Sequence, residues 1–487
     1  MRTTAPTRLP SRVSRRADLW CAAVAAVLVG AAILVPRIMG KQWRDRLYAG
    51  AAPLFGEWLP HIGWGTGPAI ALAAVVVVYG PSAARRLSWR QLLATTWVAA
   101  VAWAVALAMV DGWQRGFAGR LTTRDEYLHE VPGVTDIGSM LRGFSGRILD
   151  FQPDSWTTHV SGHPPGALLV FVLMNRIGLG GGAWAAALCT VTGCAAAVAI
   201  LVTLRALGAE ERARAAAPFL VLAPAALWIA VSADAFFAGV TAWAVALLAV
   251  ATRQREGWLA AALGSGLLFG FGLYLSYGLV LMAVPALAVL AARGFRPVVP
   301  VAVGMLVVVG LFTAAGFWWF DGYHLVVQRY YQGIASERPF SYWVWGNLAA
   351  TVCAIGLASA AALHRVIRGL DPRPFLRNSP SHATATDPAA PPLADARGVS
   401  TATLVESVRR WRAAVDPAAL LAAAGLAALL LADLSGLSKA ETERIWLPFS
   451  VWVLAGTALL PRRDTRVWLG AQALGTLVIA HLILTNW

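Results

Sequence analysis

The sequence predicts an all-α polytopic membrane protein, and three observations carry that prediction. Of its 487 residues, 58% are hydrophobic and only 13% are charged, more apolar surface than a water-soluble core hides. Apolar stretches close to the ~20 residues that cross a bilayer recur from end to end. These stretches are rich in Ala, Leu and Val and lack the ~10-residue alternation of barrel strands, so their backbone groups must be satisfied within helices.

In chain order, about fourteen apolar segments fall near 19–38, 66–82, 92–110, 164–178, 183–206, 216–232, 235–252, 258–275, 277–292, 297–317, 346–364, 418–434, 445–460 and 467–485. The first follows a basic stretch, "RLPSRVSRR", without a small-residue cleavage site, and reads as a retained helix. The formal net charge is +15, with only Lys41 and Lys439 among many arginines, a usage that suggests a high-GC bacterial genome. The arginines concentrate in short segments between helices, at 84–91, 205–214, 253–256, 293–296, 364–369 and 461–466. That is the positive-inside pattern of a bacterial plasma-membrane protein with a cytoplasmic N-terminus. It calls for anionic lipid headgroups as partners and argues against nucleic acid.

With those segments inside, loops 39–65, 111–163, 318–345 and 435–444 face outward, together with a short break around Asp234. Crossing parity then fails once. Two apolar segments separate the outer loop 111–163 from the inner segment 205–214, where an odd number of crossings is required. The weaker is 164–178, whose ~15 residues fall short of a span; either it is short, tilted or re-entrant, or the charge rule fails at 205–214.

Residues 367–416 are rich in Pro, Ala, Ser, Thr and Asp and predict a disordered cytoplasmic linker with a short amphipathic helix at its end. The chain therefore divides into an N-terminal tail with two helices (1–90), a helical module with its outer loop (91–366), the linker, and C-terminal helices (417–487). The four cysteines all lie in apolar runs without metal spacing and read as packing residues. The glycines of 264–272 suit close helix packing, since no strand precedes them as a phosphate loop requires.

Chemistry should sit where polar groups crowd the outer face. In "TTRDEYLHE" (122–130), Arg124, Asp125, Glu126, His129 and Glu130 form the densest outward charge cluster. A partly desolvated carboxylate beside an arginine can act as a general base toward a hydroxyl; the other reading is a solvated amphipathic helix. In "SWTTHVSGHPPG" (155–166), His163 precedes a Pro-Pro pair that opens the next apolar segment. Pro at a helix start is ordinary, but His163 and the first-turn amides are also placed to bind a phosphate. Arg444 can hold two phosphate oxygens at once, or it forms a local ion-pair network with the flanking Glu441 and Glu443. The aromatic loop 317–345 offers Trp318, Trp319, Tyr330, Tyr331, Trp343 and Trp345 for an interfacial belt.

An outward acidic motif, then "HPPG", then a small-residue-flanked aspartate in "WIAVSADAFFAGVTAW" (228–243), and finally "ETERIWLPFSVWVL" (441–454): this order resembles the GT-C superfamily of integral-membrane glycosyltransferases. The nearest likeness is to the protein O-mannosyltransferase and lipid A aminoarabinose transferase group. The resemblance implies a GT-C-like bundle of about 12–14 helices with an active-site loop on the outer face. It implies a function, too: transfer of a sugar from a polyprenyl-phosphate-linked donor to a hydroxyl on a glycan, lipid or protein acceptor, outside the cytoplasm, in cell-envelope synthesis. By the same resemblance Asp125 or Glu126 is the base that deprotonates the acceptor, with Arg124 beside it. His163 contacts the donor phosphate, Asp234 is the later acidic residue, and Arg444, with Lys439 and Glu441 nearby, binds that phosphate. Gly166 stands where Leu is usual, and two further helices precede the module.

No cofactor is required by these residues; a divalent Mg or Mn ion has a place only if Asp125, Glu126 and Asp234 converge. The competing function is a lipid or small-molecule transporter or flippase without bond chemistry. Such a protein places charges and Gly/Pro breaks near the midplane, often in paired halves, whereas the polar groups here gather toward one face.

Overall fold

A computed structural model describes residues 11–371 and 411–486, apart from Gln254. Eight of its helices are long and apolar enough to cross a membrane: Arg15–Ile38, Thr66–Arg86, Trp89–Ala108, Gly182–Ala206, Ala233–Ala251, Trp258–Leu275, Phe340–Leu370 and Pro417–Leu434. The chain is an all-α polytopic membrane protein. Apart from Thr465–Leu482, an unbroken helix of 18 residues, the rest of the expected segments are shorter or broken. The stretch 216–232 is divided between the helices Glu210–Val221 and Ala226–Ile229. Residues 277–282 are 3-10 before the helix Ala283–Arg293, and 447–453 is followed by a 3-10 turn over 454–459. Val298–Ala314 and Trp319–Gln332 meet at a bend of 75°.

Polar contacts sort the loops into two ends. At one end the arginine-rich segments interlock. Arg214 donates to the carbonyls of Ala84 and Leu87, Arg212 pairs with Asp416, Arg293 reaches Ala206, and Arg365 holds the buried Asp18. At the other end the four loops expected to face outward meet. Arg338 donates to Lys439 O and Tyr48 O, the Phe55 amide donates to Glu443, Arg329 pairs with Asp150, and Arg120 pairs with Asp111. A two-stranded antiparallel ribbon, β1 (Gly56–Trp58) with β2 (Ile483–Thr485), closes that end; no strand was expected there, because three-residue strands carry too little alternation to read.

The parity conflict is resolved by the helix Pro165–Arg176. It is 12 residues long, about 18 Å, too short to span. Arg176, at its far end, donates to Thr135 O in the loop that precedes it. Past it, Gly182 packs against Ala118 of the same loop, where a Cβ would lie 1.8 Å from the carbonyl. The helix therefore returns to the face it left, and Gly182–Ala206 supplies the one crossing required.

The expected linker needs one boundary correction. Phe340–Leu370 continues through residues 367–370 as helix, bent at Gly356 (φ 78°); 411–414, within the stretch where a short helix is expected, are helical. Residues 372–410 of the predicted linker lie outside the described residues.

Candidate active site

The two polar stretches of the long loop are stitched to each other. The His159 amide donates to Asp125 O at 3.0 Å, Thr158 Oγ1 donates to Asp125 Oδ1 at 3.2 Å, and the Thr157 amide donates to Glu130 Oε1 at 3.0 Å. This zipper sets the directions of the acidic pair. Asp125 stays exposed with Arg124, while Glu126, 3% exposed, turns inward. Tyr127 follows it inside and packs its ring on Phe171, His163 and His159. His159 lies on the short helix Thr158–Ser161, and His163 follows its C-cap Gly162. Nδ1 of His163 is 2.8 Å from both the Tyr127 hydroxyl and the His159 carbonyl.

Asp234 sits in the first turn of the helix Ala233–Ala251, behind the N-cap Ser232, where the helix dipole favours an anion. That turn is brought close to Gly182–Ala206 by two small residues. A Cβ on Gly239 would lie 2.1 Å from Thr192 O, and one on Gly193 2.8 Å from the Ala235 Cβ.

Arg444 rides on the short helix Thr442–Ile445, after Ala440 and Glu441 in left-handed conformations (φ 70° and 62°). The buried Asn347 pins this turn: its Nδ2 donates to Asp433 Oδ1 and Ser438 O, and its Oδ1 accepts from the Ala440 amide. Thus fixed, the Arg444 guanidinium donates through Nη1 to Asp234 Oδ2 at 2.6 Å, and through Nη2 to Glu441 Oε2 at 2.8 Å and His159 Nε2 at 3.0 Å. His159 Nδ1 is in turn 3.4 Å from Glu126 Oε1.

The tautomer of His159 follows from its partners. A guanidinium only donates, so Nε2 accepts and the ring proton sits on Nδ1, facing Glu126. Burial and the charge on Arg444 keep the ring well below its ordinary pKa, and hence neutral. Burial lifts the Glu126 carboxyl to about 8, with Arg444 opposing and Asp234 reinforcing. Burial also works against the charge of Arg444, but Asp234, Glu441 and Glu126 outweigh it and raise its pKa. The arrangement is a high-pKa carboxyl, a neutral imidazole and a permanent cation in one water-poor cluster.

Of the residues singled out from sequence, the structure brings together Glu126, Asp234, Glu441 and Arg444, with His163 beside the His159 carbonyl. Three are placed otherwise. Asp125 and Arg124 face solvent, and the Lys439 ammonium is turned to Ala335 O at 2.9 Å. Two residues without an assigned role join the cluster: His159, and Arg338, which at 5% exposure lies 3.3 Å from the second oxygen of Glu441. Of the aromatic loop, Trp343 is fully buried and Trp319 donates to Leu273 O, both in packing roles. Among the described residues no three His, Cys, Asp or Glu side chains form a metal-binding group, so Asp125, Glu126 and Asp234 do not converge as shared ion ligands.

No family model matches the chain, and no curated protein matches it. Three solved structures do. ArnT from Cupriavidus metallidurans in the apo state is 16% identical, over 81% of this chain and 77% of that one, with a TM-score of 0.44. The archaeal oligosaccharyltransferase AglB from Archaeoglobus fulgidus, in complex with an inhibitory peptide and a dolichol-phosphate, is 15% identical over 81% of this chain, with a TM-score of 0.41. A second Archaeoglobus fulgidus oligosaccharyltransferase structure, tethered to an acceptor peptide, is 14% identical over 80% of this chain, with a TM-score of 0.43. The chain spans 56% and 55% of these two. To these three structures the chain is similar.

Proposed function

We propose that the chain is a GT-C glycosyltransferase that moves a sugar from a polyprenyl-phosphate donor to an acceptor hydroxyl, at the bundle end that carries Glu126 and Arg444. One observation carries this reading: residues from four separate segments meet in one buried cluster, where Asp234 and His159 contact the Arg444 guanidinium and Glu126 faces the other side of the His159 ring. A charged cluster of this kind is costly to bury and is expected where charge develops during a reaction.

In the reaction the acceptor oxygen forms a bond to the sugar C1 as the bond from C1 to the phosphate oxygen breaks. Ionised Glu126 takes the hydroxyl proton. The departing phosphate gains negative charge, and Arg444 neutralises it. For that, one carboxylate must yield its place on the guanidinium. Glu441 is the one positioned to do so, because its other oxygen already faces Arg338. His159 keeps the guanidinium aimed. A carrier needs none of these groups at one end of the bundle, and this end lies outside the cytoplasm under the positive-inside rule.

The test is transfer of labelled sugar from a synthetic polyprenyl-phosphate donor in membranes carrying the native chain, Glu126→Gln, Asp125→Asn or His163→Ala at matched expression. Native transfer with loss in Glu126→Gln supports the reading, and undiminished transfer in all three variants rejects it.

A further inference from the structure

A cavity of about 840 Å3 opens between the helices Ser11–Ile38, Phe340–Leu370 and Thr465–Leu482, roofed by residues 45–54. None of the residues around Arg444 lines it. Its walls are apolar, with Val29, Ile33, Leu357, Val478 and Ile479 among them. On Ser11–Ile38 the lining runs from Ala26 to Arg37, and on Thr465–Leu482 from Ala471 to Leu482. Each run is eleven helical steps, about 16 Å, half of the ~30 Å hydrocarbon core. The slot is one leaflet deep.

Its mouth is cationic. Arg37, Lys41 and Arg44 stand there with a single carboxylate, Asp45, which lies 2.7 Å from Lys41. Arg37 and Arg44 are exposed and have no ion pair among the described residues. Trp58, 57% exposed, lies at the same rim, as expected at a membrane interface. Apolar walls of leaflet depth under a ring of cations complement a lipid with ordinary acyl chains and an anionic head group. A polyprenyl tail is longer than such a slot.

The roof leads to the reacting groups. Tyr48 in the roof gives its carbonyl to Arg338, which reaches Glu441, which holds Arg444. The amide of Phe55, just after lining residue Leu54, donates to Glu443 at 2.7 Å. The roof is therefore tied to the 441–444 turn by hydrogen bonds, while the slot itself stops short of it.

We propose that this slot binds the acyl chains of an anionic glycerolipid and holds its head group against Arg37, Lys41 and Arg44.

Gly475 lines the slot, and a Cβ there meets nothing within 4 Å, so Gly475→Phe fills the space without a backbone clash. The full chain in detergent is incubated with vesicles of equal phosphatidylglycerol and phosphatidylcholine, repurified, and its retained lipid counted. The native chain is expected to retain phosphatidylglycerol preferentially. Gly475→Phe should lose most of it, and the exposed pair Arg37→Gln/Arg44→Gln should lower the preference by about fivefold for each cation removed. Unchanged retention in the folded Gly475→Phe and unchanged preference in the arginine variant overturn the site.

Discussion

Arg444 and His159, 285 positions apart, meet at 3.0 Å with the guanidinium donating to the imidazole Nε2. That contact orders the rest of the cluster: it fixes the ring proton on Nδ1, toward Glu126, and leaves the other guanidinium edge for Asp234.

Glu126, rather than Asp125, should carry base catalysis. Glu126→Gln is expected to lower kcat by ~100-fold or more, while Asp125→Asn, at an exposed position, leaves it near native. Steady-state transfer assays on both variants check this. The converse result would move the base to the loop surface.

The pH profile should report the same carboxyl. Because a base must be ionised and the Glu126 carboxyl sits at about 8, kcat/KM is expected to climb as pH rises through about 8. A rate already level by pH 6 would contradict this.

Stability should change with pH in the opposite sense. Between the ordinary value of 4.5 and the folded value of about 8, the unfolded chain releases the Glu126 proton while the folded chain retains it, so native stability is lost across that window as pH rises. Glu126→Gln lacks this dependence. The Tm of the variant minus that of the native chain should grow from pH 4.5 to 8 in detergent thermal scans.

Removing the cation should cost more than removing the ion pair. Arg444→Leu strands Asp234 and Glu441 as buried or half-buried carboxylates, a loss of about 3–5 kcal/mol. Adding Asp234→Asn to that variant is expected to recover part of the loss. Denaturant unfolding of the two single variants and the double variant measures the coupling, and strict additivity would deny the contact.

Gly239 should tolerate no side chain. A Cβ there would stand 2.1 Å from Thr192 O, so Gly239→Ala must push two helices apart, at about 1–3 kcal/mol, and shift Asp234 with them. A lowered Tm together with a lowered kcat is expected.

What the sequence made legible was whatever depends on local pattern. Hydropathy located the long helices, arginine placement sorted the loops into two ends, and the shortness of 164–178 marked the segment that fails to cross. Glu126, Asp234 and Arg444 could be singled out because a charge in a greasy chain is conspicuous. His159 was not: a histidine in a polar loop carries no mark, and only the hydrogen bond from its amide to Asp125 O turns it inward. Arg338 and Asn347 were likewise illegible, because one sits in an aromatic loop that reads as an interfacial belt and the other in an apolar helix. Their roles arise from the turn at 438–444, whose left-handed Ala440 and Glu441 no residue preference announces. The large cavity had no signature either, since a void is the space that three separate helices leave unfilled.

The helix Pro165–Arg176 has a consequence beyond its own geometry. Lengthened by about eight residues to the ~20 that span, it would carry Gly182 to the opposite aqueous compartment and invert every later helix. Glu126 would then remain on one side while Asp234 and Arg444 emerged on the other. Twelve residues of helix thus keep the carboxyl and the guanidinium in the same compartment, and the brevity of that segment is a condition of their meeting at all.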